Sequence, residues 1–269
     1  MQTLAPYIIG RRLGRGGLAD VHAAIRRSDG REVAVKIARG RRSHDSWVRR
    51  RFWLEAAMLR RAASRHVVGL FARGIDDGRP FLVLALAEGG SLAERISDRP
   101  TTPEGLRRLT VDLAAAIRSF HDAGMHHLDV TPGNLLVTGA FDDGAGLIAA
   151  GERLVIADPS VSFTPAGAER PWLEFGTPRW RAPEIAAGRP AGVATDVFGA
   201  SATLWGAMAR AAPPEAIQRS AVIASMPAHW QSVFGPGLAE DPAARHSSID
   251  DWSSSVLSAI EHDRACARA

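Results

Sequence analysis

The 269-residue chain contains a single lysine, a single cysteine and a single tyrosine. Its only cysteine, Cys266, has no partner within the chain, which excludes an internal disulfide and favours a reducing compartment. No apolar run approaches the roughly 18 residues that a transmembrane helix needs. The opening segment also lacks the basic start of a signal peptide. We therefore expect a cytoplasmic chain with no membrane partner.

The net charge of the chain by itself excludes few classes of binding partner. A net charge of +4 is weak evidence for nucleic acid, because the basic character of the chain mainly reflects the high pKa of arginine and the presence of only one tyrosine. We therefore expect no nucleic-acid partner.

The 32 other basic residues are all arginines, so the one lysine, Lys36, indicates a position that needs a compact and mobile point charge. Lys36 lies in an alternating strand pattern over 32–38. A glycine-rich turn, Gly14-Arg15-Gly16-Gly17, precedes it, and Glu55 follows in the middle of a predicted helix over 46–63. A glycine-rich turn, a strand lysine and a helical glutamate occur in this order in the nucleotide-binding lobe of protein kinases.

Further motifs follow in a fixed order. They are His127-Leu128-Asp129 with Asn134 five residues after the aspartate, Asp158-Pro159-Ser160, the segment Gly176–Glu184 that ends in Ala-Pro-Glu, Asp196-Val197-Phe198, and Asp241-Pro242-Ala243-Ala244-Arg245. Any one of these motifs is a weak signal, but their shared order is a strong one. From about residue 7 to about residue 260, the chain resembles a eukaryotic-like (Hanks-type) bacterial serine/threonine protein kinase domain.

The resemblance implies an α+β, bilobal protein-kinase-like fold. A β-rich N-lobe with one helix and the hinge would cover residues 1–87 and bind nucleotide. A mainly helical C-lobe over 88–269 would carry the catalytic loop and the activation segment. Local patterns agree, since strand candidates predominate in the first ninety residues and Thr102-Pro103 is a helix start. The predicted strands cover 8–13, 21–26, 32–38 and 79–84, and a small hairpin joins 135–138 to 154–157.

The resemblance also assigns the catalytic residues. Asp129 would accept or orient the proton of the substrate hydroxyl. Lys36 would contact the phosphates of ATP and form an ion pair with Glu55. Thr131 would lie beside the transferred phosphoryl group.

Ligand-binding residues follow from the same resemblance. Asn134 and Asp158 would hold Mg²⁺, a hard cation that prefers oxygen ligands. Glu184 and Arg245 would form a buried ion pair with a structural role. ATP would lie against residues of the glycine-rich turn and of the strands and hinge around it, namely Gly14, Arg15, Gly16, Gly17, Val21, Ala34, Lys36, Leu84 and Leu86.

The chain departs from the family pattern around these residues. Leu128 replaces the arginine that receives an activation-loop phosphate, and Thr131 replaces a lysine. Pro159-Ser160 replaces Phe-Gly, and the insert Gly139–Arg153 lengthens the hairpin before it. We therefore expect slow phosphoryl transfer that does not depend on phosphorylation of the activation loop.

Three functions remain open at this point. The first is ATP- and magnesium-dependent phosphoryl transfer to serine or threonine of a protein substrate. The second is a pseudokinase that binds nucleotide and acts as a scaffold. The third is a small-molecule phosphotransferase, which shares the pattern around Asp129 but lacks a peptide-docking segment such as Gly176–Glu184.

Overall fold

An antiparallel six-stranded sheet forms the first part of the chain in the computed structural model, which describes residues 3–4, 6–139, 146–159 and 178–268. Side chains alternate across a strand, so Lys36 shares a face with Ala34 and Ala38, while Ile37 lies on the other face. In spatial order, the strands are β1 (Thr3–Leu4), β2 (Tyr7–Arg15), β3 (Ala19–Arg26), β4 (Glu32–Ala38), β6 (Arg79–Ala85) and β5 (Leu70–Asp76).

Helix α1 (Ser46–Arg61) packs beside β5 and β6. Its buried positions recur at three- and four-residue spacing, and Glu55 is one of them among apolar neighbours such as Phe52 and Leu59. The predicted helix thus begins where expected and ends two residues early. Strand β5 was not predicted, because its residues are mostly half-buried without strict alternation and its pairing with β6 is irregular near Leu70.

The second part of the chain is mainly helical. Thr102 caps α3 through its side chain and Pro103 is the first helical residue, as predicted. Helix α5 is buried over most of its length and lies at the centre of the helical part. The helices are α2 (Leu92–Asp98), α3 (Pro103–Asp122), α4 (Pro183–Ala186), α5 (Val193–Ala209), α6 (Ala216–Ala224), α7 (Ala228–Gly237) and α8 (Ile249–Cys266).

A two-stranded hairpin of β7 (Leu135–Gly139) and β8 (Glu152–Ile156) interrupts the helices. The end of the insert packs into the protein, since the side chains of Leu147, Ile148 and Ala149 are buried. The sequence indicated only an insert in the hairpin and did not predict that its end would be buried. The middle of the insert, residues 140–145, lies outside the described residues.

Two further observations concern the predicted domain boundary and membrane spans. The expected division at residue 87 falls between β6 and α2 and stays a prediction. Within the described ranges, no helix is both long enough and apolar enough to cross a membrane.

Candidate active site

Neighbouring strands place the predicted nucleotide-binding side chains next to one another. Val21 on β3 pairs with Lys36 on β4, and Ala34 on β4 pairs with Leu84 on β6. Leu86 follows directly after β6 and packs against the same core as Val21, Ala34 and Leu84. The sheet therefore presents an apolar surface beside the ammonium of Lys36. Such a surface is suited to contact with the flat face of a nucleobase.

Lys36 lies between two carboxylates that come from distant parts of the sequence. Its Nζ donates to Glu55 Oε1 and Oε2 at 2.8 and 2.9 Å, and to Asp158 Oδ1 at 2.6 Å. The predicted ion pair between Lys36 and Glu55 is thus present. The Lys36 and Glu55 side chains are almost fully buried, whereas 54% of the Asp158 side chain is exposed.

The electrostatics of this group follow from one cation that serves two anions. Burial alone would lower the pKa of Lys36, but Asp158 and Glu55 outweigh it and raise that pKa above the ordinary value. Burial raises the pKa of Glu55, and the charge of Asp158 adds to the shift against the attraction of Lys36. Desolvation works against ionisation of Asp158 too, yet Lys36 holds the pKa of this carboxyl below its usual range.

The β7–β8 hairpin brings Asn134 and Asp158 to one end of the site. Leu135 pairs with Ile156, so the residues before β7 and after β8 lie together, and the Ala157 N–H donates to the Asn134 carbonyl at 2.9 Å. The two predicted metal ligands therefore belong to adjoining segments, despite the insert between them in sequence.

Asp129 joins the same end of the hairpin through Asn134. The Asn134 Nδ2 donates to the backbone carbonyl and to Oδ2 of Asp129, both at 2.8 Å. Because both partners are acceptors, the nitrogen of the amide must face Asp129 and the amide oxygen must face the other way. Burial and the nearby charge of Asp158 raise the pKa of the Asp129 carboxyl.

This donor set fits magnesium. An amide oxygen of Asn134 and a half-exposed carboxylate of Asp158 are hard ligands, and magnesium commonly takes few protein ligands and fills its remaining positions with water and phosphate oxygens. No group of three or more histidine, cysteine, aspartate or glutamate side chains suited to a metal occurs in the described parts of the chain. The carboxylates of Glu55, Asp129 and Asp158 also outnumber the single ammonium, which favours a cation here.

His127 and Asp196 hold the loop that carries Asp129. His127 is buried; its Nε2 donates to the Ala157 carbonyl at 3.1 Å and its Nδ1 accepts the Asp129 N–H at 3.4 Å. Burial lowers the pKa of His127, which favours the neutral ring that these two bonds require.

Asp196 anchors the loop that carries Asp129, a role that the sequence did not predict for its side chain. Its carboxylate accepts the N–H groups of Leu128 and His127 at 2.7 and 2.9 Å and contacts His121 Nε2 at 2.9 Å. Leu128 has a φ of 65°, a left-handed conformation that a side chain such as leucine rarely adopts. The signal for Asp196 was its charge in an otherwise apolar helix start.

The predicted pair of Glu184 and Arg245 is present and buried. Arg245 Nη1 and Nη2 each donate to one oxygen of Glu184 at 2.8 Å, and the exposed fractions of the two side chains are 0% and 1%. Arg245 also donates to the carbonyls of Ala239 and Ala194. Burial alone would raise the pKa of Glu184, but Arg245 and Thr195 outweigh it and lower that pKa.

Some of the residues that differ from the family pattern lie within the described parts of the chain, and others do not. Leu128 and Thr131 are half-buried beside Asp129, and Pro159 is buried. Ser160, Ser162, Thr164 and the Gly176-Thr177 part of the activation segment lie outside the described residues.

Comparisons with known proteins agree with this geometry. The protein kinase domain family matches residues 7–267, so the chain belongs to that family. Its curated relatives include the probable serine/threonine-protein kinase PknB of Corynebacterium glutamicum, which is 30% identical over 198 residues, or 72% of this chain. The serine/threonine-protein kinase PknL of Mycobacterium tuberculosis is 28% identical over 257 residues, or 90% of this chain. The recognised class, a bacterial Hanks-type kinase domain, is thereby confirmed.

The chain is shorter than its curated relatives, and its fold matches a solved kinase structure. This chain spans 30% of the length of PknB and 62% of the length of PknL. The crystal structure of the Mycobacterium tuberculosis PknI kinase domain superposes with a TM-score of 0.71 at 22% identity, covering 96% of this chain and 98% of that one. The bilobal kinase fold predicted from the sequence is therefore confirmed.

Proposed function

We propose that this chain transfers the γ-phosphoryl group of ATP, in the presence of Mg²⁺, to serine or threonine hydroxyls of protein substrates. The observation that carries the proposal is the position of the Lys36 ammonium, 2.8 Å from Glu55 and 2.6 Å from Asp158. This contact joins β4, α1 and the segment after β8 at a single point. It is the arrangement that phosphate positioning and charge neutralisation require.

Each side chain in the site has a task in this reaction. Lys36 would bind phosphate oxygens of ATP, and Glu55 would keep its ammonium in place. Asn134 and Asp158 would hold magnesium, which neutralises negative charge on the phosphates when bound. Asp129 would accept or orient the proton of the attacking hydroxyl, and its raised pKa suits a proton acceptor.

The adenine end of ATP would lie on the apolar surface formed by Val21, Ala34, Leu84 and Leu86. The backbone of the glycine-rich turn over 14–17 would cover the phosphates, since glycine allows amides to approach the oxygens closely. The described contacts support a nucleotide site that extends from the hinge to Asp158.

The proposed enzyme is slow and works without activation-loop phosphorylation. Thr131 can donate a hydrogen bond to the transferred group but supplies no charge, and Leu128 offers no guanidinium to a phosphorylated loop. The same two residues favour the second candidate, a nucleotide-binding pseudokinase that acts as a scaffold.

Location and partners complete the proposal. The partners are ATP and a protein substrate, and the location is the bacterial cytoplasm. The single cysteine, Cys266, supports a reducing compartment.

Incubation with γ-labelled ATP and magnesium tests the proposal. Label on added protein substrate is expected for the parent, and Asp129→Asn is expected to abolish transfer with ATP affinity within a few-fold of the parent. ATP binding without transfer by the parent would favour the pseudokinase. Label on a small metabolite would favour a small-molecule phosphotransferase. Equal transfer by the parent and Asp129→Asn would contradict the catalytic role of the loop.

A further inference from the structure

The glycine-rich turn is tied to the end of β4 by Arg39, the residue that follows this strand. The Nε and Nη2 of Arg39 donate to the Gly16 carbonyl at 3.1 and 2.8 Å. The Arg39 N–H donates to the Leu18 carbonyl at 2.9 Å, which continues the pairing of β3 with β4 by one residue. A guanidinium therefore fixes one carbonyl at the tip of the turn.

The direction of that carbonyl follows from the alternation of side chains along β4. Lys36 faces α1 and Asp158, whereas Ile37 lies on the opposite face in the core with Val35. Arg39 is two residues beyond Ile37 and three beyond Lys36, so it lies on the face opposite the lysine. The carbonyl of Gly16 therefore points away from the side of the sheet on which Lys36 lies.

A peptide unit is planar and trans, so its C=O and N–H point in opposite directions. The Gly16 carbonyl and the Gly17 N–H belong to one such unit. When Arg39 holds the carbonyl on its own face, the Gly17 N–H is turned toward the face of Lys36. We propose that Arg39 is a positioning residue that aims the Gly17 amide at the phosphates of ATP. This inference rests on the proposed nucleotide site.

The turn's own backbone hydrogen bond, from the Gly16 N–H to the Ala19 carbonyl at 2.8 Å, does not include the peptide unit of the Gly16 carbonyl and the Gly17 N–H. A Cβ on Gly14 would meet nothing within 4 Å, and one on Gly16 would meet only the Ala19 carbonyl at 3.5 Å. Glycine peptides rotate easily in such an open setting, and a donor that is free to rotate loses entropy when it binds. A carbonyl held by two hydrogen bonds removes part of that freedom before ATP arrives.

Asp20 holds the guanidinium of Arg39 in place by charge. Its Oδ1 lies 3.5 Å from Arg39 Nε and 3.8 Å from Arg15 Nε. Because Asp20 belongs to β3, directly beside the turn, the carboxylate keeps Arg39 next to Gly16. The exposed Arg15 shares this carboxylate from the other strand of the turn.

Calorimetric titration of the full chain with ATP-Mg and with adenosine tests the proposal. In Arg39→Gln, ATP-Mg binding should weaken about tenfold, because phosphates lose a preorganised donor. Adenosine affinity should not change, since adenosine has no phosphate. Arg39→Lys should recover part of the loss through a single bond to the Gly16 carbonyl. The control is Arg27→Gln, which changes an exposed arginine just beyond the far end of β3. This variant should bind both ligands like the parent.

Two results would overturn the inference while leaving the proposed function intact. The first is ATP-Mg binding by Arg39→Gln at parental affinity. The second is an equal loss of ATP-Mg and adenosine binding, which would indicate general damage to the sheet. A parent chain that binds no ATP would instead refute the nucleotide site itself, and this inference with it.

Discussion

Two buried ion pairs in this chain are built in opposite ways. In the helical part, Arg245 and Glu184 match each other with two parallel bonds, and backbone carbonyls take further donors of the guanidinium. In the sheet, the ammonium of Lys36 is divided between Glu55 and the half-exposed Asp158. The first pair balances its charges and is closed to water, whereas the second carries excess negative charge and is open at Asp158.

The two pairs also differ in the direction in which the pKa of their glutamate is shifted. Arg245 lowers the pKa of Glu184 against the effect of burial, whereas burial and the competing Asp158 raise the pKa of Glu55. A satisfied pair is suited to holding the fold. A pair with too few cations is suited to exchanging partners with phosphate and magnesium. We infer that the first pair is structural and the second is functional, and the following predictions test this contrast.

The largest effect is expected from breaking the structural pair. Arg245→Met leaves Glu184 buried without its cation, so the free energy of unfolding should fall by about 3–5 kcal/mol. Denaturant unfolding measures the change. Arg107→Met is the matched control, because the contact of Arg107 with Glu104 is exposed and should contribute about 1 kcal/mol or less. Equal loss in the two variants would show that burial of the pair adds nothing.

A change in the functional pair should act on the reaction more than on the fold. Lys36→Arg keeps a cation for Glu55 and Asp158 but replaces a compact ammonium with a planar fork. Transfer should fall by about 10²–10³-fold, the cost of one misplaced donor. The free energy of unfolding should fall by less than in Arg245→Met.

A lysine-reactive acyl-phosphate analogue of ATP gives an independent measurement on the parent. It should modify Lys36, and excess ATP-Mg should protect that residue. Mass spectrometry locates the adduct without ambiguity, because Lys36 is the only lysine. Modification that ATP-Mg leaves unchanged would argue against a phosphate site at this pair.

A third and smaller effect concerns the missing charge at Thr131. Thr131→Lys adds an ammonium beside Asp129, and transfer should rise about tenfold if the other groups are assembled. Steady-state rates of the parent and the variant measure this effect, and Thr131→Met controls for side-chain size. A parent that is faster than Thr131→Lys would show that another group neutralises the phosphoryl charge. No transfer by either protein, with ATP still bound, would favour the scaffold function.

The pH dependence of the two pairs should also differ in sign. Carbon-13 NMR titration, assigned with Glu→Gln variants, should show Glu55 titrating above an ordinary glutamate and Glu184 below it. As pH falls, protonation of Glu55 favours the folded state, because the folded protein binds that proton more tightly than the unfolded chain does. Protonation of Glu184 occurs only at a pH below the ordinary glutamate pKa, and it removes stability. Titration of Glu55 and Glu184 at the same pH would contradict the proposed difference between the two pairs.

The smallest effect is expected from phosphatase treatment. Leu128 cannot pair with a phosphate, so removal of phosphate from Ser160, Ser162 or Thr164 should leave the transfer rate unchanged. The assay compares active protein before and after treatment, with mass spectrometry to confirm removal. Loss of most activity would show that another arginine receives the phosphate.

Residue type and order were enough to predict several parts of this protein. Lys36 could be found because it is the only lysine. The glycine-rich turn, Asp129 and the pair of Glu184 with Arg245 could be found because each lies in one of the ordered motifs. The family followed from their order. Helix α3 was also predictable, because its cap at Thr102 and its apolar spacing are local signals.

The contacts between these parts depend on how the chain folds. Asp196 accepts N–H groups from residues nearly seventy positions away, Arg39 reaches back to Gly16, and Asp158 shares the ammonium that the sequence assigned to Glu55. Local pattern cannot reveal such contacts, since a hydrogen bond depends on distance and direction between groups that the folded chain brings together. The division of one cation between two carboxylates is decided by packing, because the carboxylates arrive on separate elements.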